Sequence, residues 1–294
     1  MSSDQSYIIN LSTESPWPGL RAFAEDDREF FFGRENETKE LFKLVQHSSV
    51  VVLYGQSGLG KTSLLQAGLF PMLKSSDYLP VRLRFDHSKN APPIAEQIKV
   101  SLISELIRTE INVARPEKDE TLWEYFHRRD VDFWGRRNRL LTPVIVFDQF
   151  EEVFTIGQKS NEASERVKIF LEELESLIEH RPPDSVRKRL DENSDDALKY
   201  DLQRESVKFL ISLREDFLPQ LDTWRTKMPS LLPSRFRLER MTGEQALDVV
   251  ERAGRDLVNS DVARQIVDFV SASQRKRFER IVEQRDVEPA LLSV

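Results

Sequence analysis

Apolar positions along the chain follow two alternating rhythms. Short β-branched runs at 49–55 (SVVVLYG), Pro80–Phe85, Pro143–Phe147, Val207–Leu213 and, more weakly, Phe236–Leu238 read as buried strands. Between them run stripes of helical period. Leu41, Phe42, Leu44 and Val45 mark a helix over Glu35–Gln46, and Leu64, Leu65, Gly68, Leu69, Met72 and Leu73 mark one that starts at Thr62. Pro71 is expected to kink or end that second helix. Ile94, Ile98, Leu102 and Leu106 mark a third, Leu122–Leu140 reads as a fourth, and Val167, Phe170, Leu171, Leu174 and Ile178 form the cleanest stripe of all.

Strands alternating with helices predict an α/β domain, a three-layer sandwich around a mainly parallel five-stranded sheet. After residue 240 the strands stop, and Gly243–Gly254 with Asp261–Val270 predict a small helical lid over 241–294. Residues 1–16 read as a flexible arm, 17–240 as the main domain, and the charge-dense stretch 181–206 as a surface loop or insertion. The closing VEPALLSV is apolar and uncapped and reads as a helix cut short, so the chain is expected to be the N-terminal portion of something longer. No repeat of 20–50 residues is present.

Composition narrows the functional classes. A net charge of −7 argues against a protein that coats DNA or an anionic membrane, although a local basic pocket is compatible with it. With 0 cysteines there is no disulfide, thiolate metal site or thiol nucleophile, and the cytoplasm is the expected compartment. The opening MSSDQSYIINLS has no signal-peptide pattern, and the longest apolar runs, Val50–Tyr54 and Val144–Phe147, are of strand length, so no membrane span is expected.

The strongest chemical signal is Gly55-Gln56-Ser57-Gly58-Leu59-Gly60-Lys61-Thr62, a full match to G-x-x-x-x-G-K-[ST]. Its glycines let successive N–H groups turn inward on phosphate oxygens, and the following helix adds its positive end. Residues Gln56, Ser57, Gly58, Leu59, Gly60, Lys61, Thr62 and Ser63 are thus the expected nucleotide cradle. Lys61 suits the β- and γ-phosphates, and the Thr62 hydroxyl suits Mg²⁺. Chance would produce such a match in about one per cent of chains this long, and here it follows a strand and precedes a helix.

The second signal is Val144-Ile145-Val146-Phe147-Asp148, a strand that delivers an aspartate, the group that holds Mg²⁺ in phosphate-loop NTPases. Glu151 and Glu152 follow, either of which suits a general base for water or a solvated acidic helix start. Gln149 stands where many ATPases carry a glutamate. Third, Phe209–Arg214 is a strand ending in arginine, suited to sensing a γ-phosphate or to pairing on the surface with Glu215 or Asp216. His47, His87, His127 and His180 lack metal-ligand spacing. Trp123, Tyr125, Phe126, Phe133 and Trp134 lie among Arg128, Arg129, Arg136, Arg137 and Arg139. That mixture also suits single-stranded nucleic acid, but an amphipathic helix with packed aromatics is the expectation taken.

With these motifs placed, the sequence resembles the STAND-class signalling ATPases, specifically the bacterial novel STAND NTPases related to NACHT switches. The resemblance runs from Pro16-Trp17-Pro18-Gly19-Leu20-Arg21-Ala22-Phe23 and Phe30-Phe31-Phe32-Gly33-Arg34-Glu35 through Gly55–Thr62 and Ala67-Gly68-Leu69-Phe70-Pro71. It continues through Asp148–Phe154 and Leu213-Arg214-Glu215-Asp216-Phe217 to Val287-Glu288-Pro289-Ala290-Leu291-Leu292. It implies that Gly33 and Arg34 lie near the adenine of ATP or ADP. The D-G-x-D-E of NACHT members, laid on Asp148–Glu152, favours Glu151 as the base. It further implies a slowly hydrolysing switch, closed with ADP and self-associating with ATP, that drives effector modules or partner proteins in bacterial defence or programmed death. No effector segment is recognisable before residue 16, and no winged helix or repeat sensor follows. The alternative is an AAA+-like ATPase working mechanically on protein or nucleic acid; a small-molecule kinase and a non-hydrolysing scaffold rank below it.

Overall fold

The structure, a computed structural model, describes residues 11–86, 88, 90–117, 119–157, 160–277 and 287–292. Helix α1 (Glu35–His47) leads into strand β1 (Val50–Gly55), whose apolar residues are covered on both faces as a central parallel strand requires. The segment after the phosphate loop is helical but uneven: α2 (Lys61–Ser63), a π-helical turn (Leu64–Leu69) and α3 (Phe70–Ser75). Then come β2 (Tyr78–Leu83), α4 (Ile94–Arg108), α5 (Leu122–His127) and a small antiparallel hairpin, β3 (Trp134–Gly135) with β4 (Arg139–Leu140). Strand β5 (Thr142–Phe147) is followed by α6 (Glu151–Ile156), α7 (Asn161–Ile178), α8 (Asp184–Glu192) and α9 (Ser194–Ala197). The chain continues with β6 (Lys208–Arg214), α10 (Leu218–Asp222), β7 (Arg235–Arg237), α11 (Gly243–Ala253) and α12 (Ser260–Arg277).

The main sheet has the order β2-β5-β6-β1-β7 with every pair parallel. Pro80 sits in β2, an edge strand, where its missing N–H costs least. The register pairs Leu83 with Phe147, Phe147 with Ile211, and Arg214 with Gly55. The C-terminal ends of β5, β6 and β1 therefore line one edge of the sheet.

The chain divides into two compact units. One, residues 41–55 and 72–237, holds the whole sheet. Its core includes Val52, Val81, Ile145, Phe147, Phe150, Phe170, Phe209 and Ile211. The other gathers residues 1–40, 56–71 and 238–294, so the phosphate loop falls with the FFFGRE segment and the two C-terminal helices. Its core joins Met241, Ala246, Val249, Val250, Ala263, Val267, Val287 and Leu292.

Several expectations need correction. The helix after Thr62 neither ends nor breaks at Pro71. It widens upstream, with the Phe70 N–H reaching Leu65 O, and runs on to Ser75; π turns of this kind absorb an irregularity without ending a helix. The helix over Leu122–Leu140 is only six residues long, because Arg128 turns extended (ψ 136) and Arg137 and Asn138 adopt left-handed φ of 61 and 55 in the hairpin. Trp123, Tyr125, Phe126 and Phe133 are buried in the sheet unit, so these aromatics are core rather than a base-stacking surface. The stretch 181–206 is not merely loop. It forms α8 and α9, buries Val186, and donates the Tyr200 hydroxyl to Glu124 Oε1 at 3.1 Å. Phe85 lies beyond β2 yet is buried.

Of the expected arm, residues 1–10 lie outside the described residues, as do His87, Ser293 and Val294. Pro16 and Pro18 are buried, and the Trp17 ring stands 3.0 Å from where a Cβ on Gly254 would be. At the other end, Val287 bridges to Met241, and Pro289–Leu292 form a 3₁₀ turn rather than an α-helix. Among the described residues no helix is long and apolar enough to cross a membrane.

Candidate functional site

In the sheet unit, Asp148 follows β5 directly. Its N–H donates to Leu83 O at 3.0 Å, which carries the β2–β5 ladder one residue further. Phe147 and Phe150, both fully buried, bracket it, and Phe85 packs on both rings with centroids 5.6 and 5.9 Å away. The carboxylate is only 1% exposed. A buried charge of this kind needs a partner, and Arg82 on β2 supplies it: Oδ2 accepts from Nη2 at 2.7 Å and from Nε at 3.0 Å.

Gln149 has φ +66, the left-handed region where glycine is at ease. This explains why D-G-x-D-E suits the same turn. Its Oε1 accepts from Arg84. Phe150 N–H donates to Ser212 O at 2.8 Å, and Glu151 opens α6 with Oε2 accepting the Arg214 N–H at 3.3 Å. Glu152 lies 4.0 Å from Arg84. The Arg214 guanidinium pairs with Asp216 at 2.8 and 3.0 Å and sits over the Phe217 ring. The surface pairing considered for Arg214 is thus the one the structure has, while its main chain is tied to Glu151.

In the other unit, the phosphate loop leaves Gly55 with Gln56, Ser57 and Gly58 exposed and Leu59 anchored at 3% exposure. Gly58 and Gly60 have φ of +83 and +84, the left-handed geometry that turns main-chain N–H groups inward. Gly60 precedes the first helical turn and its carbonyl accepts the Leu64 N–H at 2.8 Å. Lys61 Nζ donates to Gln56 O at 2.8 Å, across the loop. Thr62 is half-buried. Ser63 is buried, and its hydroxyl accepts the Phe23 N–H at 3.1 Å, tying the loop helix to the PGLRAF segment.

The FFFGRE segment grips α11. Gly33 has φ +77, and a Cβ there would stand 2.6 Å from Val249 Cγ2 and 2.9 Å from Gln245 O. Arg34, 3% exposed, donates to Glu37 Oε1 at 2.6 Å and to Glu239 O at 2.7 Å. Its burial lowers the guanidinium pKa, and Glu37 opposes that shift. Glu37 Oε1 also accepts from Gln245 Nε2 at 2.9 Å. Arg252 donates to Glu35 at 2.7 Å and lies over Phe32, 4.2 Å from its centroid. Phe32, Gly33 and Glu35 are therefore brought together against α11, and Arg34 against the Glu239 carbonyl just ahead of it.

The residues fit the groups that the motifs imply. The left-handed glycines fit an anion, and the Asp148 carboxylate and the Thr62 hydroxyl, each in its own unit, are oxygen donors of the kind Mg²⁺ takes. Among the described residues no cluster of three or more His, Cys, Asp or Glu forms another metal site. His127 is a core residue. Its Nδ1–H donates to Trp123 O at 2.7 Å, it stacks on Trp123, and burial pushes it down to about 4. Sequence reasoning missed Arg82. The available signal was an arginine inside an otherwise apolar edge strand, but its partner lies one strand away.

The family model described as novel STAND NTPase 1 matches residues 16–276. Among solved structures, the chain is similar to the Walker-type ATPase PABY2304 of Pyrococcus abyssi, with TM-score 0.54 and 14% identity over 89% of this chain and 71% of that one. It is also similar to Cdc6p from Pyrobaculum aerophilum, with TM-score 0.47 and 14% identity over 86% of this chain and 64% of that one. At 14% identity the first of these likenesses shows the fold alone. No curated protein matches the chain in sequence.

Proposed function

Because the chain belongs to the novel STAND NTPases, we propose that it is a slowly hydrolysing ATP/ADP switch whose nucleotide state controls self-association. Residues 17–240 serve as its nucleotide-binding domain and 241–294 as the lid. The observation that carries nucleotide binding is the G-Q-S-G-L-G-K-T loop, with Gly58 and Gly60 left-handed at the head of a helix. In the roles their motif implies, Gln56–Ser63 cradle the phosphates, Lys61 neutralises the β- and γ-phosphates, and Thr62 and Asp148 hold Mg²⁺. That ion supplies charge neutralisation when bound.

Glu151 takes the proton of the attacking water, and its bond to the Arg214 N–H supports this choice over Glu152. Arg214 reads the γ-phosphate on leaving Asp216. The FFFGRE contacts support a coupling between nucleotide and lid, since Gly33 packs on α11 and Arg34 holds the Glu239 carbonyl just ahead of it. Effector modules or partner proteins, in bacterial defence or programmed death, complete the reading.

The test is to release and identify by chromatography the nucleotide that copurifies with the wild-type chain and with Lys61→Ala. ADP held by the wild type and lost from the variant supports the switch. An empty wild-type site that turns added ATP over rapidly overturns it in favour of a working ATPase.

A further inference from the structure

Asp148 already has a cation within the sheet. Arg82 places two donors on a single carboxylate oxygen, Oδ2, at 2.7 and 3.0 Å. The arrangement is built by strand register: β2 and β5 pair Arg82 with Val146 and Leu83 with Phe147, and the Asp148 N–H closes on Leu83 O at 3.0 Å. A guanidinium stays protonated throughout the accessible pH range, so its charge is always present. The two partners differ in freedom. Asp148 is 1% exposed and locked between buried phenylalanines, whereas the Arg82 side chain keeps 30% of its surface in solvent.

We propose that Arg82 is a positioning residue that sets the Mg²⁺ requirement of the nucleotide site. It is the resident counter-charge of the buried Asp148 carboxylate and competes with the divalent cation for it. Two physical effects oppose each other here. The pair fixes the carboxylate plane by holding Oδ2, whereas the positive charge, the larger effect, opposes a second cation on the same group. Because Asp148 cannot turn away, the arginine is the partner that yields when Mg²⁺ arrives with nucleotide. The proposal rests on the reading of Asp148 as a cation ligand.

The experiment titrates free Mg²⁺ in a chelator-buffered series. It measures the affinity of the full chain for ADP carrying a fluorescent ribose tag, for wild type, Arg82→Met, Arg82→Gln, Arg82→Lys and Asp148→Asn. Arg82→Gln keeps a hydrogen bond to Asp148 and serves where the methionine variant does not fold. Removing the charge is expected to lower the free Mg²⁺ at half-maximal effect by about fivefold or more, with ADP affinity in EDTA unchanged and Arg82→Lys close to wild type. If the neutral variants keep or raise the Mg²⁺ requirement while Asp148→Asn abolishes Mg²⁺ dependence, the role of Arg82 is overturned and the site stands. If Asp148→Asn leaves the Mg²⁺ dependence intact, the cation-ligand reading falls, and the proposal with it.

Discussion

The main-chain N–H of Arg214 donates to Glu151 Oε2 at 3.3 Å, so the last residue of β6 orients the first residue of α6. A carboxylate held from one side by a fixed amide keeps its other oxygen directed, which suits a base that must meet water in one geometry. Glu152 lies 4.0 Å from the exposed Arg84. Glu151→Gln is therefore expected to retain ATP while single-turnover phosphate release falls by roughly 10²–10⁴-fold. Glu152→Gln should lose far less. A larger loss in Glu152→Gln would move the base by one residue.

Gly33 is required by space and by backbone together. Adding one carbon brings it to 2.6 Å from Val249 Cγ2 at a φ of +77. Gly33→Ala should destabilise the packing of α11 by about 2 kcal/mol or more. Denaturant unfolding, read with protease cleavage in 238–270, checks it; a wild-type cleavage pattern would show that the contact is not restrictive.

Gln149 holds the left-handed turn between Asp148 and Glu151 with a side chain that disfavours it. Gln149→Gly should raise the unfolding midpoint, with a gain of up to about 1 kcal/mol. The lost bond to exposed Arg84 offsets little of this. A lowered midpoint would contradict the assignment of strain to this turn.

His127 predicts an acid limb in stability. Its Nε2 is buried without a partner, and its pKa falls from an ordinary 6.5 to about 4, first through burial. The unfolded chain takes up this proton below pH 6.5 and the folded chain only near 4. The stability loss thus begins as pH falls through 6.5, is complete near 4, and is on the order of 3 kcal/mol. His127→Phe keeps the stack on Trp123 and should flatten the slope of unfolding free energy between pH 6.5 and 4.5. An unchanged slope would assign the acid limb to other groups.

The legible part of this protein is the part encoded locally. The apolar runs at Val50–Gly55, Thr142–Phe147 and Lys208–Arg214 identify central strands wherever they pack, because covering both faces demands continuous apolar side chains. The phosphate loop is equally local, since its glycines and the following helix make an anion nest within a few residues. Glu151 and Arg214 were nameable from their places after two strands, but only parallel register at one edge of the sheet joins them.

Other features depend on partners far away in sequence. The aromatics at 122–140 have helical spacing but divide between α5 and a hairpin, because burying Phe126 and Phe133 against the sheet outweighs the local preference. Pro71 reads as a helix end, yet a widened turn carries the helix past it. Arg34 is a conspicuous motif residue whose guanidinium is turned to Glu37 and Glu239 O, over two hundred residues from it in the latter case. Arg82 lies 66 positions from Asp148 and is invisible as its partner until β2 and β5 are in register. Residue types and local turns are properties of the sequence. Which charge a buried carboxylate meets, and which glycine must admit a helix, are settled only when desolvation and close packing bring distant segments within a few ångströms.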